Sequence, residues 1–220
     1  FAAESVNLSG ASILVVTAGA TNETDNFETG CGTVTVAGTF ALADTAQFVP
    51  ASDQYTGGSL IVRPHKFVLG AEAMVNAEGR GFDYRQFKDP KIIAPGQGYG
   101  CDRGAGYGGK GGFAFGDYGQ TYGFGYAPIH PGSCSGIFSG GSVVYPAGGL
   151  IRIHAKSAVL NGTLNAKPLM GYYGGSSGGG IWVTTSGKME IGATFAELGL
   201  DAAKEYVGYE FWRQEDLGNL

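Results

Sequence analysis

Charged side chains are scarce in this sequence: 15% of its 220 residues, with 14 Lys or Arg against 19 Asp or Glu. An average soluble domain carries about 25%. The basic residues are scattered and the net charge is −5, so a nucleic-acid partner is not expected. Long apolar runs are missing as well. The segment from Ala11 to Ala20 is too short to span a bilayer and has no basic flank, so membrane insertion is not expected. Helical periodicity is almost absent. Starting at Phe1 rather than Met, the chain reads as a processed product or a piece of something longer.

Chemistry-bearing clusters are equally sparse. None of His65, His130 and His154 stands at metal-ligand spacing from another His, a Cys or an acid, so no metal or cofactor is expected. His154 follows a strand with outward parity and reads as a surface histidine. The Gly-x-Gly-x-x-Gly match near Gly104 to Gly109 lacks the strand and helix that a nucleotide loop needs. Ser133-Cys134-Ser135-Gly136 is not a nucleophile elbow. No catalytic residue emerges, and the chain reads as a non-enzyme. The enzyme alternative is a carbohydrate-active protein using loop acids. Its candidates are Asp83, Asp89, Asp102 and Asp117, with Arg80, Arg85 and Arg103 nearby.

Only three cysteines occur, with no Cys-x-x-Cys. In an oxidising compartment they imply one disulfide and a leftover thiol. Cys101 and Cys134, which bracket the Gly-rich region, are the candidate pair, and Cys31 is the free or intermolecular thiol; three unpaired thiols is the other reading. Three glycosylation sequons begin at Asn7, Asn22 and Asn161. Together with the low Lys content they point to a secreted or cell-surface protein.

What the sequence has in quantity is glycine, 41 residues, alongside 43% hydrophobic residues. Collagen is excluded because the glycines have no every-third-residue period. Short alternating runs broken by Gly, Asn and Asp predict strands. They are Val6 to Leu8, Ile13 to Val16, Val34 to Val36, Phe40 to Leu42, Leu60 to Val62, Phe67 to Leu69, Ile151 to Ile153, Ile181 to Val183 and Met189 to Ile191. A final strand from Val207 to Phe211 is favoured over a short helix because Gly208 weakens the helix.

One pattern recurs. Phe67-Val68-Leu69 is followed by Val75-Asn76-Ala77, Ala158-Val159-Leu160 by Leu164-Asn165-Ala166, and Met189-Glu190-Ile191 by Phe195, with Glu197 in place of the small residue. The last two copies lie ~30 residues apart, a solenoid-like spacing. Strand pairs this short cannot bury their own apolar faces, and stacking copies would give a continuous core. The expected fold is therefore all-β, a right-handed parallel β-helix (solenoid). It is expected as a single domain over 1–220, with residues 201–220 as a possible cap on its open end. Between Gly79 and Gly149, Gly alternates with Tyr and Phe. This stretch reads either as a low-complexity linker or as a long excursion folded back on the stack; the flanking strands favour the excursion. Its aromatics, Tyr99, Tyr107, Tyr118, Tyr122, Phe124 and Tyr126, are candidates for an interface or for stacking on glycans.

The order of these motifs resembles a family of large Gly-rich β-helix proteins of bacteria and protists, secreted or surface-exposed. The resemblance rests on Asn76-Ala77-Glu78-Gly79-Arg80-Gly81, Gly125-Tyr126-Ala127-Pro128 and Gly148-Gly149-Leu150-Ile151-Arg152-Ile153. It continues through Asn161-Gly162-Thr163-Leu164-Asn165-Ala166 and Gly179-Gly180-Ile181-Trp182-Val183. Lys167-Pro168 and Glu197 depart from the family pattern. The resemblance implies a fold and an extracellular setting, not an activity. The functional expectation is an extracellular structural module, associating with itself or with sibling domains. The alternative is a carbohydrate-binding or carbohydrate-active module.

Overall fold

The computed structural model describes residues 1–20, 31–83, 94–97, 104–112, 119–123, 128–135, 145–169, 175–191, 207–210 and 215–219. All regular structure among them is strand. In chain order these are β1 (Ala2–Ala3), β2 (Val6–Leu8), β3 (Ile13–Thr17), β4 (Thr33–Leu42), β5 (Gln47–Ala51), β6 (Ile61–Leu69) and β7 (Met74–Asn76). There follow β8 (Ile151–Ala155), β9 (Ser157–Leu160), β10 (Thr163–Asn165), β11 (Ile181–Thr185), β12 (Met189–Ile191), β13 (Val207–Glu210) and β14 (Glu215–Asn219). The chain divides into two compact units, Phe1–Glu190 and Ile191–Leu220.

In the first unit, one eight-stranded sheet runs β1-β4-β6-β8-β11, with β2, β9 and β12 paired alongside, and a four-stranded sheet runs β10-β7-β5-β3. Both are parallel. The recurrence seen in the sequence is their register: Phe67, Val68 and Leu69 stand opposite Ala158, Val159 and Leu160, while Val75 and Asn76 stand opposite Leu164 and Asn165. An earlier copy escapes the sequence pattern, because Phe40 pairs with Phe67 and Phe48 with Val75. Two predicted strands on either side of Gly38 are one strand, β4, whose pairing shifts register between Val36 and Thr39.

The expected right-handed solenoid is not found. The parallel strands fall into two sheets of unequal breadth, and among the described residues no uniform coil repeats. Thr33 meets Ile61 and Ile151 meets Ile181, but Val62 meets Ile153 only across the whole Gly-rich stretch. The recurrence reports which strands pair, and pairing in parallel does not require coils of equal length. The second unit contains an antiparallel pair, β13 with β14. Its first strand lies where a terminal strand is expected.

The core lies between the two sheets. Phe40, Phe48 and Phe67 are fully buried there; Phe40 meets Phe48 and Phe67 edge to face, at 5.1 and 5.7 Å. At the sheet corner, amide stacks replace apolar contacts. Asn165 Nδ2 donates to Asn76 Oδ1 at 3.2 Å and to Glu78 Oε2 at 2.9 Å, and Asn76 Nδ2 donates to Gln47 Oε1 at 3.2 Å. The same two asparagines accept from the backbone two residues on, Glu78 N and Lys167 N, which turns the chain at Ala77 and Ala166.

The described parts of the Gly-rich stretch are held backbone to backbone. Gly104 N donates to Gly112 O, Gly111 N to Gly119 O, Gly119 N to Gly104 O, and Gly106 N to Gly96 O. Side chains would prevent this: a Cβ on Gly111 would lie 1.8 Å from Gly104 O, and one on Gly179 would lie 1.7 Å from Gly149 O. The glycines thus let chains approach at hydrogen-bond distance. A small second core of Phe82, Ala94 and Cys134, with Tyr122 against it, ties the stretch down.

Candidate functional site

Described residues of the stretch reach the large sheet: Ile129 O accepts from Ser59 Oγ just before β6, and Pro128 and Tyr107 lie against Gly180 just before β11. Simple alternation puts Arg152 in water, yet Arg152 is 1% exposed. Its guanidinium lies 5.6 Å from the Trp182 ring centroid on the next strand and makes a long 3.5 Å contact with Ser59 Oγ, which itself donates to Ile129 O at 3.1 Å. His154, expected on the surface, is half-buried with its ring edge-on to Trp182 at 4.6 Å.

The same packing builds a cleft where the glycine-rich loops meet β11. Tyr107 and Tyr122 stand side by side, ring centroids 5.1 Å apart. The Tyr107 hydroxyl donates to His130 O at 2.7 Å, and the Tyr122 hydroxyl donates to Pro131 O. Gly180, buried beneath, has no room for a Cβ, which would lie 2.9 Å from the Tyr107 hydroxyl and 2.7 Å from Pro128 Cβ. Burial pushes the Tyr107 phenol up to about 12. Burial raises the Tyr122 phenol further still, reinforced by Tyr107 and Cys134 beside it. Both remain protonated donors at neutral pH. The cleft has a volume of about 450 Å³ and is walled by these two rings with Thr121, Pro128 and Ile181 and the bare backbone of Gly108, Gly123 and Gly180.

A second cleft, of about 240 Å³, lies between Thr17, Ser52, Asp53, Tyr55 and Arg80. Here Asp53 Oδ1 accepts from Tyr55 N, Thr56 N and Thr56 Oγ1, so that oxygen closes a local turn. Nothing local in the sequence marks this cleft, because its residues come from three separated segments.

Of the aromatic candidates, the structure brings Tyr107 and Tyr122 together; Tyr99, Tyr118, Phe124 and Tyr126 lie outside the described residues. Asn7 on β2 and Asn161 in the turn before β10 are exposed, and Asn22 lies outside the described residues. Cys134 is buried, its candidate partner Cys101 lies outside the described residues, and Cys31 is a half-buried free thiol. Of the loop charges, Asp83 is buried and Arg80 exposed, while Asp89, Asp102, Asp117, Arg85 and Arg103 lie outside the described residues. Among the described residues no group of three His, Cys, Asp or Glu converges, and no helix is long and apolar enough to cross a membrane.

An open end of the strand stack is expected from the sequence; what the sequence does not show is which residues of the two sheet ends stay uncovered. The middle strands carry the fully buried core, whereas Val6, Leu8, Leu14 and Val16 at one end and Leu160, Leu164 and Val183 at the other are only partly covered. Beyond them Ile13 and Val15 on β3 are 61% and 51% exposed, and Ile181 on β11 is 46% exposed. The signal available was the run Ile13 to Val16, apolar at every position where a half-buried strand would alternate. Compared with protein-family models, with curated proteins and with solved structures, the chain finds no match.

Proposed function

We propose that this chain is an extracellular structural module that associates with further copies of itself through the ends of its parallel sheets. One observation carries the reading: the core is sealed in the middle and half-covered at both ends. Among the described residues nothing pairs with the outer edge of β3, which is the last strand of its sheet. An unpaired edge with exposed Ile13 and Val15 is a template for another strand. Contact of one end with the other is head to tail and continues into a filament, whereas contact of two like ends would close a dimer; with both ends half-covered, the head-to-tail contact covers both. Low charge adds little repulsion to oppose it. The exposed sequon asparagines Asn7 and Asn161 support the extracellular setting.

Light scattering on the purified chain over a concentration series tests the association, with electron microscopy of the largest species. Open-ended growth is expected, and Ile13→Lys with Val15→Lys is expected to abolish it while circular dichroism stays unchanged. A stable monomer at high concentration would refute self-association and leave contact with sibling domains of a longer chain.

A further inference from the structure

The Tyr107–Tyr122 cleft has properties that assembly does not use. At about 450 Å³ it falls within the roughly 300–1,000 Å³ range of small-ligand sites. Among the described residues no Asp, Glu, Lys or Arg lines it. A charged ligand would lose its hydration there and gain no counter-charge from these residues. A purely apolar ligand would bury the Thr121 hydroxyl and the bare backbone of Gly108 and Gly123 without partners. The ligand that matches these walls is neutral and has both an apolar face and closely spaced hydroxyls. The platform is also fixed in advance: each tyrosine is tethered through its hydroxyl to a backbone carbonyl, so little freedom remains to be lost on binding.

We propose that this cleft seats one neutral sugar residue of an oligosaccharide, its C–H face against the tyrosine rings and Ile181 and its hydroxyls on Thr121 and the glycine backbone. The proposal is tested apart from the assembly reading: the cleft does not involve β3, and the wall it shares with the opposite sheet end is Ile181 alone, so Thr121 is the position that separates the two.

The test is a fluorescence and NMR titration of the intact chain with neutral oligosaccharides of glucose, mannose and N-acetylglucosamine, and with oligogalacturonate as the acidic comparator. At least one neutral series is expected to bind saturably and the acidic one not. Thr121→Trp, which fills the mouth from an exposed loop position, and Ile181→Glu, which places a carboxylate in the wall, are each expected to weaken binding roughly tenfold, or about 1.4 kcal/mol. Association by light scattering should be unchanged in Thr121→Trp. Absence of saturable binding by every neutral series would overturn the proposal. So would preference for the acidic sugar, or binding unaltered in Thr121→Trp, which keeps the test intact if Ile181→Glu does not fold.

Discussion

Phe40 sits at the centre of the packing between the sheets, touching an aromatic ring in each direction. Phe40→Ala should cost about 3–5 kcal/mol, read as a lower urea midpoint with an unchanged slope. Glycine acts at the same scale through the absence of an atom. Gly179→Ala would place a Cβ 1.7 Å from Gly149 O, whereas a Cβ on Gly108 would meet nothing within 4 Å. Gly179→Ala should therefore destabilise by about 1–3 kcal/mol or more, and Gly108→Ala by no more than about 0.5 kcal/mol, in parallel thermal melts. The tyrosines supply a pH dependence. The folded state holds the Tyr107 proton up to about 12, against an ordinary value near 10. In that window the folded state binds more protons than the unfolded one. Stability is thus intact below about pH 10 and is lost as pH rises towards 12. Chemical denaturation at stepped alkaline pH should show the fall, and Tyr107→Phe should shrink it.

At the scale of elements, the amide stack joins three neighbouring strands, β5, β7 and β10, through Gln47, Asn76 and Asn165. Asn165→Asp removes the donor to Asn76 and sets a carboxylate against Glu78 Oε2, now 2.9 Å from the amide nitrogen. The variant should lose about 1–3 kcal/mol at neutral pH and recover part of it on acidification, because like charge favours uptake of one proton by the pair. Much of this level was legible beforehand. The phrases Val75-Asn76-Ala77 and Leu164-Asn165-Ala166 stand out as copies because each Asn must both turn the chain and pair with its counterpart. The earlier copy, Phe40 to Phe48, was not legible because no Asn marks it, and only the pairing of Phe40 with Phe67 reveals it.

For the whole molecule, the ends matter more than the middle. If association runs through the β3 edge, it should be head to tail, and filaments should shorten when the double variant at Ile13 and Val15 is mixed in as a chain terminator. Material secreted from a eukaryotic host should carry a glycan on at least one of the exposed asparagines, Asn7 or Asn161, by mass spectrometry. Such a glycan on Asn161 would not stop folding, since the side chain already faces solvent.

The sequence by itself determined that the chain is built of strands, where most of them lie, and which two copies stack. These follow from local alternation and from short phrases whose chemistry is self-contained. The tertiary structure alone decided that the strands form two unequal parallel sheets instead of an even coil. Partner choice across the Gly-rich stretch depends on contacts far apart in the chain. It also decided the burial of Arg152 and His154. Period-two alternation says which side chains share a face, but not that Trp182 and Ser59 close against Arg152, or Trp182 against His154, on the outer one. The cleft between Tyr107 and Tyr122 belongs to the same class. Glycines without side chains leave no pattern to read, and only their close backbone packing brings two tyrosines, a proline and the end of β11 to one place.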